Sequence, residues 1–328
     1  MKILQIGKGT EFTILEMPTP QPGPGEVLLR IEAVTTCPQW DLHLRHNDPM
    51  FVGHQFHYPY TPGQPGHEAT GTIEALGEGV TGFVVGDRVS TWRDVGHKVP
   101  GCYAQYVTRR AENVIRVPAG LPPEATAPVE LAMCVGATFL MLRPLNIFAG
   151  KRIGIGGLGP AGLIAAQMAR AEGASEVVGF DLSATRRDYA CTHFLDAVYD
   201  PRNPGLSEII PARPAAPKLD SAVDCVGAKA SVEFLMDRVS DVVALFGVQR
   251  EDYVYKVHHG GLRLCGYPGH SREAAEYAVD LIERGRLDLA PLVTHHLPLE
   301  RYAEGIDLLE RQEAIKVCFH PWEDGAQK

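Results

Sequence analysis

The sequence predicts an α/β protein of two parts, a β-rich barrel-like unit and a doubly wound parallel sheet. Three observations predict it. Over the first 120 residues, short apolar runs are separated by Gly- and Pro-containing turns, the pattern of a compact all-β unit. After Leu121-Pro-Pro-Glu124 the runs alternate with helical stretches, the pattern of a parallel sheet. The length, 328 residues, suits two domains at about 150 residues each.

In the first part, residues 25–34 alternate in part after a Pro/Gly turn at 20–25 and read as a strand. Residues 69–76, 83–90 and 103–108 continue the series, with the glycines between 77 and 82 marking a turn. In the second part, residues 151–156 read as a strand, 161–172 as a helix of good formers with apolar residues at helical spacing, and 176–181 as the next strand. Prolines at 201, 204, 211, 214 and 217 predict a loop over 201–217. A further strand is expected at 221–226, then a helix over 274–284 and a closing helix over 299–311. With 34 glycines and 25 prolines the chain is rich in tight turns.

Composition excludes several classes of partner. Acidic residues outnumber basic ones 40 to 31, the formal net charge is −9, and no basic run exceeds pairs such as Arg109-Arg110 and Arg186-Arg187. Phosphate contacts need clustered Lys and Arg, so no nucleic-acid partner is expected. No apolar stretch of about 18 residues is apparent, so no spanning helix and no membrane association are expected. The N-terminus is too short and polar in its apolar run for a signal peptide. The 7 cysteines, at 37, 102, 134, 191, 225, 265 and 318, are odd in number and form no Cys-x-x-Cys pair, which predicts a reducing, cytoplasmic setting without a disulfide framework.

The most specific motif is Gly157-Leu-Gly159-Pro160-Ala-Gly162, between an expected strand and an expected helix. The first glycine permits a tight turn, the second admits a pyrophosphate close to the backbone, and the third lets helix pack on strand. The helix N-terminus then offers N–H groups to the phosphates. Asp181 ends the next strand, where a carboxylate accepts hydrogen bonds from ribose hydroxyls and repels a 2′-phosphate. This Rossmann pattern predicts a dinucleotide, NAD rather than NADP. Arg186 and Arg187 leave a 2′-phosphate contact open, against the alternative of a solvated helix face.

A second constellation is scattered: Cys37, Gly66-His67-Glu68 and Glu130. Cys, His and Glu suit Zn²⁺ with one position open to water or substrate. Each residue also has a plain structural reading: a small buried hydrophobe, a hydrogen-bonded histidine, and an acid at a helix N-terminus. Cys134 is an alternative ligand to Glu130.

Taken with Pro22-Gly-Pro-Gly-Glu-Val-Leu28, Gly77-x-Gly79-Val80, Gly86-Asp87-Arg88-Val89, Thr294-His-His-Leu-Pro-Leu299 and Ala314-Ile-Lys316-Val317, these residues resemble the zinc-dependent medium-chain alcohol/polyol dehydrogenases nearly end to end. The resemblance implies a catalytic unit of residues 1–130 and 270–328, a coenzyme unit of 131–269, and an active site in the cleft between them. It implies Cys37 and His67 as zinc ligands and Glu68 or Glu130 as the third. Asp41 would orient His67, and His43 would pass a proton to solvent. The reaction implied is reversible oxidation of an alcohol by NAD⁺, with the metal lowering the alcohol pKa, and Glu130 in place of a third Cys leans towards a polyol, sugar or other secondary alcohol. A homo-oligomer is also implied.

Two departures stand out. The stretch Cys37-Pro-Gln-Trp-Asp41-Leu-His43 lacks the family's proton-accepting Ser or Thr, with Gln39 or Trp40 in its place. Thr36, Trp40, His46, His54 and His57 are candidate substitutes. Only Cys102 lies where other members carry four cysteines, so one catalytic and no structural zinc is expected. The aromatic run Trp40, Phe51, Phe56, Tyr58 and Tyr60 either lines a substrate pocket or packs the barrel. The competing readings are a zinc-free NAD(P)H-dependent quinone or alkene reductase and a non-catalytic NAD-binding sensor.

Overall fold

In the computed structural model, which describes residues 1–51, 53–216 and 218–323, the chain divides into two units. Met1–Leu131 and Asp288–Lys328 form the first and Ala132–Leu287 the second. These divisions stand against the expected 130/131 and 269/270.

The first passage of chain supplies β1 (Lys2–Ile6), β2 (Phe12–Glu16), β3 (Glu26–Thr35), α1 (Pro38–His46), β4 (Glu68–Leu76), β5 (Arg88–Thr91), β6 (Tyr106–Arg110), β7 (Val114–Arg116) and α2 (Val129–Leu142). The strand expected over 83–90 forms only from Arg88. Its first half is a turn, in which Gly86 has φ +94° and the Val84 N–H donates to Asp87 Oδ2 at 2.9 Å. Val84 and Val85 are exposed there, so their apolar character misleads. The strand expected over 103–108 likewise begins only at Tyr106. Pro123–Leu145 corrects the expectation that no long apolar stretch exists: it is long and apolar enough to cross a membrane, but 78% of an apolar 18-residue stretch within it is buried in the protein, as in a core helix.

The second unit contributes β8 (Arg152–Gly156), α3 (Pro160–Ala171), β9 (Glu176–Phe180), α4 (Ala184–His193), β10 (Ala197–Tyr199), α5 (Leu206–Ile209), β11 (Leu219–Asp224), α6 (Lys229–Met236), β12 (Val239–Leu245), β13 (Arg263–Gly266) and α7 (Arg272–Glu283). The 201–217 stretch holds only the single-turn α5, and Pro217 lies outside the described residues. Among the described residues its six strands are all parallel, in the order β10-β9-β8-β11-β12-β13. This is a doubly wound sheet with its switch point between β8 and β11, where such sheets bind ligands at the strands' carboxyl ends. Helix α7 stays with this unit because the Tyr277 hydroxyl donates to Glu172 Oε1 at 2.8 Å and its ring fits beside Gly136.

The chain then returns to the first unit as β14 (Val293–Pro298), α8 (Tyr302–Glu310) and β15 (Lys316–His320). The sheet runs β14-β15-β3-β4-β5-β7, with β6 also on β3 and β1-β2 as a separate ribbon. Strand β3 is its spine. Val27, Leu29, Ile31 and Val34 join Ile73, Val89, Val107 and Phe319 in one buried core.

Candidate active site

Cys37 leaves β3 and caps α1, with Pro38 in the first helical turn, where a missing N–H costs nothing. Its backbone N–H donates to Asp41 Oδ2 at 2.9 Å. The same buried carboxylate accepts from the Tyr103 hydroxyl (2.9 Å to Oδ2) and the Tyr302 hydroxyl (2.9 Å to Oδ1). Burial pushes the Asp41 pKa up to about 6 against those hydrogen bonds. The expectation that Asp41 orients His67 is therefore corrected. Two phenols and the Cys37 amide occupy its oxygens, His67 acts on it only through charge, and its work is to hold the turn that presents Cys37.

His67 enters β4 buried, its carbonyl held by the Thr91 hydroxyl at 2.5 Å. Ligand atoms of Cys37, His67 and Glu68 lie within 4.8 Å of one another. His67 Nε2 is 3.7 Å from Glu130 Oε2, and Nδ1 has no hydrogen-bond partner among the described residues. Burial opposes a charge on this ring, but the Glu130 carboxylate and the Cys37 sulfur outweigh it and raise its pKa. A buried imidazole whose Nε2 faces one carboxylate, beside a thiol and a second carboxylate, is a donor set that fits Zn²⁺.

The two glutamates differ in their commitments. Both oxygens of Glu68 lie 2.7 Å from Lys316 Nζ, and the Thr35 hydroxyl donates to Oε2 at 3.3 Å. Lys316 also donates to the Thr36 carbonyl at 2.6 Å, and both charged residues are fully buried. Moving Glu68 onto a metal would strand a buried ammonium.

Sequence reasoning missed Asp94 and His97. They share a second cluster with His67, again with ligand atoms within 4.8 Å. Asp94 accepts from the Gly96 N–H at 2.8 Å and lies 3.6 Å from His97 Nε2. Burial opposes its charge, but the two imidazoles hold its pKa far below the usual carboxylate range. His97 Nδ1 is 2.6 Å from the Tyr60 hydroxyl, the Trp40 ring lies 4.0 Å away, and Nε2 has no hydrogen-bond partner among the described residues. The available signal was an Asp-x-Gly turn with a histidine beyond it, directly after β5.

The other relay candidates go elsewhere. His43 Nδ1 meets Asp48, at 2.9 Å from its carbonyl and 3.0 Å from its carboxylate. His46 pairs with Glu310 at 2.9 Å, and the Thr36 hydroxyl accepts from the Val317 N–H. His54 packs on Trp40 and Phe56, and His57 is exposed. Of the aromatic run, Phe56 and Tyr60 belong to the core, Trp40 and Tyr58 pack against it, and Phe51 is exposed. Cys102 is buried and accepts from Arg109 Nη2 at 3.3 Å.

In the second unit the glycine loop has the geometry its sequence requires. Gly157 has φ +85°, and a Cβ on Gly162 would stand 1.9 Å from the Gly157 carbonyl oxygen. Gly159 caps α3, Pro160 occupies its first turn, and a Cβ on Gly159 would meet only Arg186 Nη1, at 3.9 Å, which leaves a cradle open for a ligand. Asp181 receives the Leu158 and Ser183 N–H groups at 2.8 Å each, and Arg186 Nη1 stands 4.0 Å from Oδ2. Arg187 is bound to the Asp181 carbonyl at 2.8 Å and pairs with Asp200. Exposed Leu182, Val226 and Val248 follow the ends of β9, β11 and β12, giving apolar surface for flat rings.

Comparison with known proteins agrees in both halves. Residues 23–119 match the alcohol dehydrogenase GroES-like domain, and residues 160–284 match the zinc-binding dehydrogenase family. The chain is 26% identical to sorbitol dehydrogenase of Halalkalibacterium halodurans, covering 97% of each chain. It is 27% identical to L-threonine 3-dehydrogenase of Bacillus subtilis, covering 98% of this chain and 99% of that one. The fold matches galactitol-1-phosphate dehydrogenase from Escherichia coli, with TM-score 0.83, 22% identity, and 98% and 100% of the two chains covered. It also matches 2R,3R-butanediol dehydrogenase from Bacillus subtilis, with TM-score 0.82, 21% identity, and 98% and 99% covered.

Proposed function

The chain belongs to the zinc-dependent medium-chain alcohol/polyol dehydrogenases, and on that premise we propose that it oxidises a secondary alcohol or polyol with NAD⁺ through Cys37, His67 and Glu130. The observation that carries the reading is the placing of Cys37 and Glu130 against the buried His67 ring, with Nε2 3.7 Å from Glu130 Oε2 and the Cys37 sulfur within 4.8 Å of the imidazole. Zinc, when bound, supplies the Lewis acidity that brings the alcohol pKa towards neutrality. Cys37, His67 and Glu130 would hold it, while Glu68 stays paired with Lys316. Asp41 and the two tyrosines fix the turn that aims Cys37.

The alcohol proton needs an acceptor in place of the missing Ser or Thr. His97 fills that role when its Nδ1–H donates to the Tyr60 oxygen, which leaves a lone pair on Nε2. Asp94 beside it stabilises the imidazolium that results. The N–H groups at the start of α3 receive the pyrophosphate of NAD, and Asp181 accepts from the ribose hydroxyls. Arg186, near Gly159, lies where it adds a cationic contact to the phosphates.

The test is metal analysis of protein prepared without chelator, followed by a panel of secondary alcohols and polyols with NAD⁺ and NADP⁺. The reading expects one zinc equivalent that is lost in His67→Ala, and NAD⁺-linked turnover that is lost with it. His97→Phe is expected to lower kcat at neutral pH while zinc stays bound. Protein with no zinc, and no activity recovered on adding it, would sink the proposal and favour alkene reduction or NAD sensing.

A further inference from the structure

The segment around His296, singled out by the sequence but unused by the site above, gathers a second set of donors at the edge of the first unit's sheet. Strand β14 runs parallel to β15 with His296 opposite Cys318 and Pro298 opposite His320. His320 follows Cys318 by two residues along β15, so the two side chains share a face. The ligand atoms of His296, Cys318 and His320 all lie within 4.8 Å of one another. The two imidazoles stack at 5.3 Å between centroids and 19° between planes, with His296 Nδ1 3.0 Å from His320 Nε2. Cys318 is buried with Ala33, Ala127 and Val293, whereas His296 is exposed, so the group opens to solvent on one side only. Glu124 and Glu323 both act on His296 and on Cys318 through charge.

Two ring nitrogens 3.0 Å apart cannot both carry a proton, so a cation between them would replace a single shared hydrogen. Tetrahedral zinc, with Zn–N near 2.0–2.1 Å and Zn–S near 2.3 Å, sets ligand nitrogens about 3.3 Å apart and nitrogen from sulfur about 3.6 Å apart. The imidazole pair is within a few tenths of an ångström of that, and rotation of the exposed His296 ring closes the distance to sulfur. We infer that His296, Cys318 and His320 form a second metal site, separate from the Cys37–His67 cluster, that takes a borderline divalent cation such as Zn²⁺. Its fourth ligand is a carboxylate from Glu124 or Glu323, or water. Burial and the neighbouring His320 hold the His296 pKa down, which keeps a neutral ring as a donor. Burial pushes the Cys318 thiol up, so the cation must displace its proton, as cations at thiols do. Bound there, the metal would pin edge strand β14 to β15, the strand that carries Lys316.

The test counts zinc in the full-length chain, made without an affinity tag, loaded with Zn²⁺ and dialysed. Wild type is expected to keep two equivalents. The His296→Ala/His320→Ala double variant is expected to keep one, with alcohol oxidation retained. His67→Ala is expected to keep one and to lose activity. A wild type that holds a single zinc, or a double variant with undiminished zinc, overturns the inference. Zinc lost in the double variant but not in His67→Ala would uphold this site and overturn the catalytic one, so the two failures are distinguishable.

Discussion

Lys316 and Glu68 are a buried ion pair with additional hydrogen bonds, the arrangement in which removing one partner costs most. Lys316→Met should destabilise the protein by roughly 3–5 kcal/mol, because it leaves a carboxylate uncompensated in the core. Glu68→Gln/Lys316→Met should recover most of that loss, and urea melts of the three proteins check it. Recovery would show that the pair's weight lies in mutual neutralisation. Asp41 makes a pH prediction. Its folded pKa, about 6, is raised above the unfolded carboxylate value, so the folded state binds the proton more tightly. That contribution is fully present below about pH 4 and is lost as pH rises through about 6, an amount on the order of 3 kcal/mol. In Asp41→Asn the tyrosine hydroxyls can turn to accept from the amide, and this part of the pH slope should vanish. Denaturant midpoints of metal-free protein at pH 4.5, 6 and 7.5 give the comparison; parallel profiles for variant and wild type would refute the assignment.

At the scale of elements, the loop between β8 and α3 is the most constrained. Gly162→Ala would force a methyl to 1.9 Å from the Gly157 carbonyl oxygen, so the helix must move off the strand. Loss of NADH binding by tenfold or more is expected, read from nucleotide fluorescence. Removing the Asp181 charge in Asp181→Ser should raise NADP⁺ use relative to NAD⁺ on the order of a hundredfold, since a like charge no longer faces the 2′-phosphate. Steady-state kcat/KM for the two cofactors decides this, and an unchanged ratio would place selectivity elsewhere. This loop was legible in the sequence because its chemistry is local: each glycine answers a constraint set within a few residues. Strands β3, β4, β8 and β9 were legible for the same reason, being apolar runs bounded by turn residues. Helix α2 was not, because it is apolar all round and shows no stripe to mark its period. Val84 and Val85 lent a turn the look of a strand. Cys37, His67 and both glutamates could be named from sequence, but the partners that decide their roles could not. Tyr302 lies 261 positions from Asp41 and Lys316 lies 248 from Glu68, separations that no local pattern encodes.

Those separations reflect how the whole chain is laid out. The second unit is an insertion: all six of its strands fall between Arg152 and Gly266, and its sheet closes without help from either end of the chain. The first unit is split, since β14 and β15 come from the C-terminal segment and β15 pairs with β3 through Cys318–Thr35 and Phe319–Val34. Without that segment β3 loses a neighbour, Glu68 loses Lys316, and Asp41 loses Tyr302. A fragment of residues 129–287, which keeps α2 whole, should therefore fold cooperatively and bind NADH, because Gly157, Gly159, Gly162, Asp181 and Arg186 are all within it. A fragment of residues 1–131 should not, whatever metal is supplied, because it cannot complete the sheet on which Cys37 and His67 are placed. Circular dichroism melts and NADH fluorescence of the two fragments test the contrast. In the full chain the same layout predicts that Gly162→Ala keeps its zinc while losing NADH, and that His67→Ala keeps NADH while losing the zinc equivalent held with Cys37 and Glu130. Each ligand needs one unit and turnover needs both, so a folded, zinc-binding 1–131 fragment would break the argument at its base.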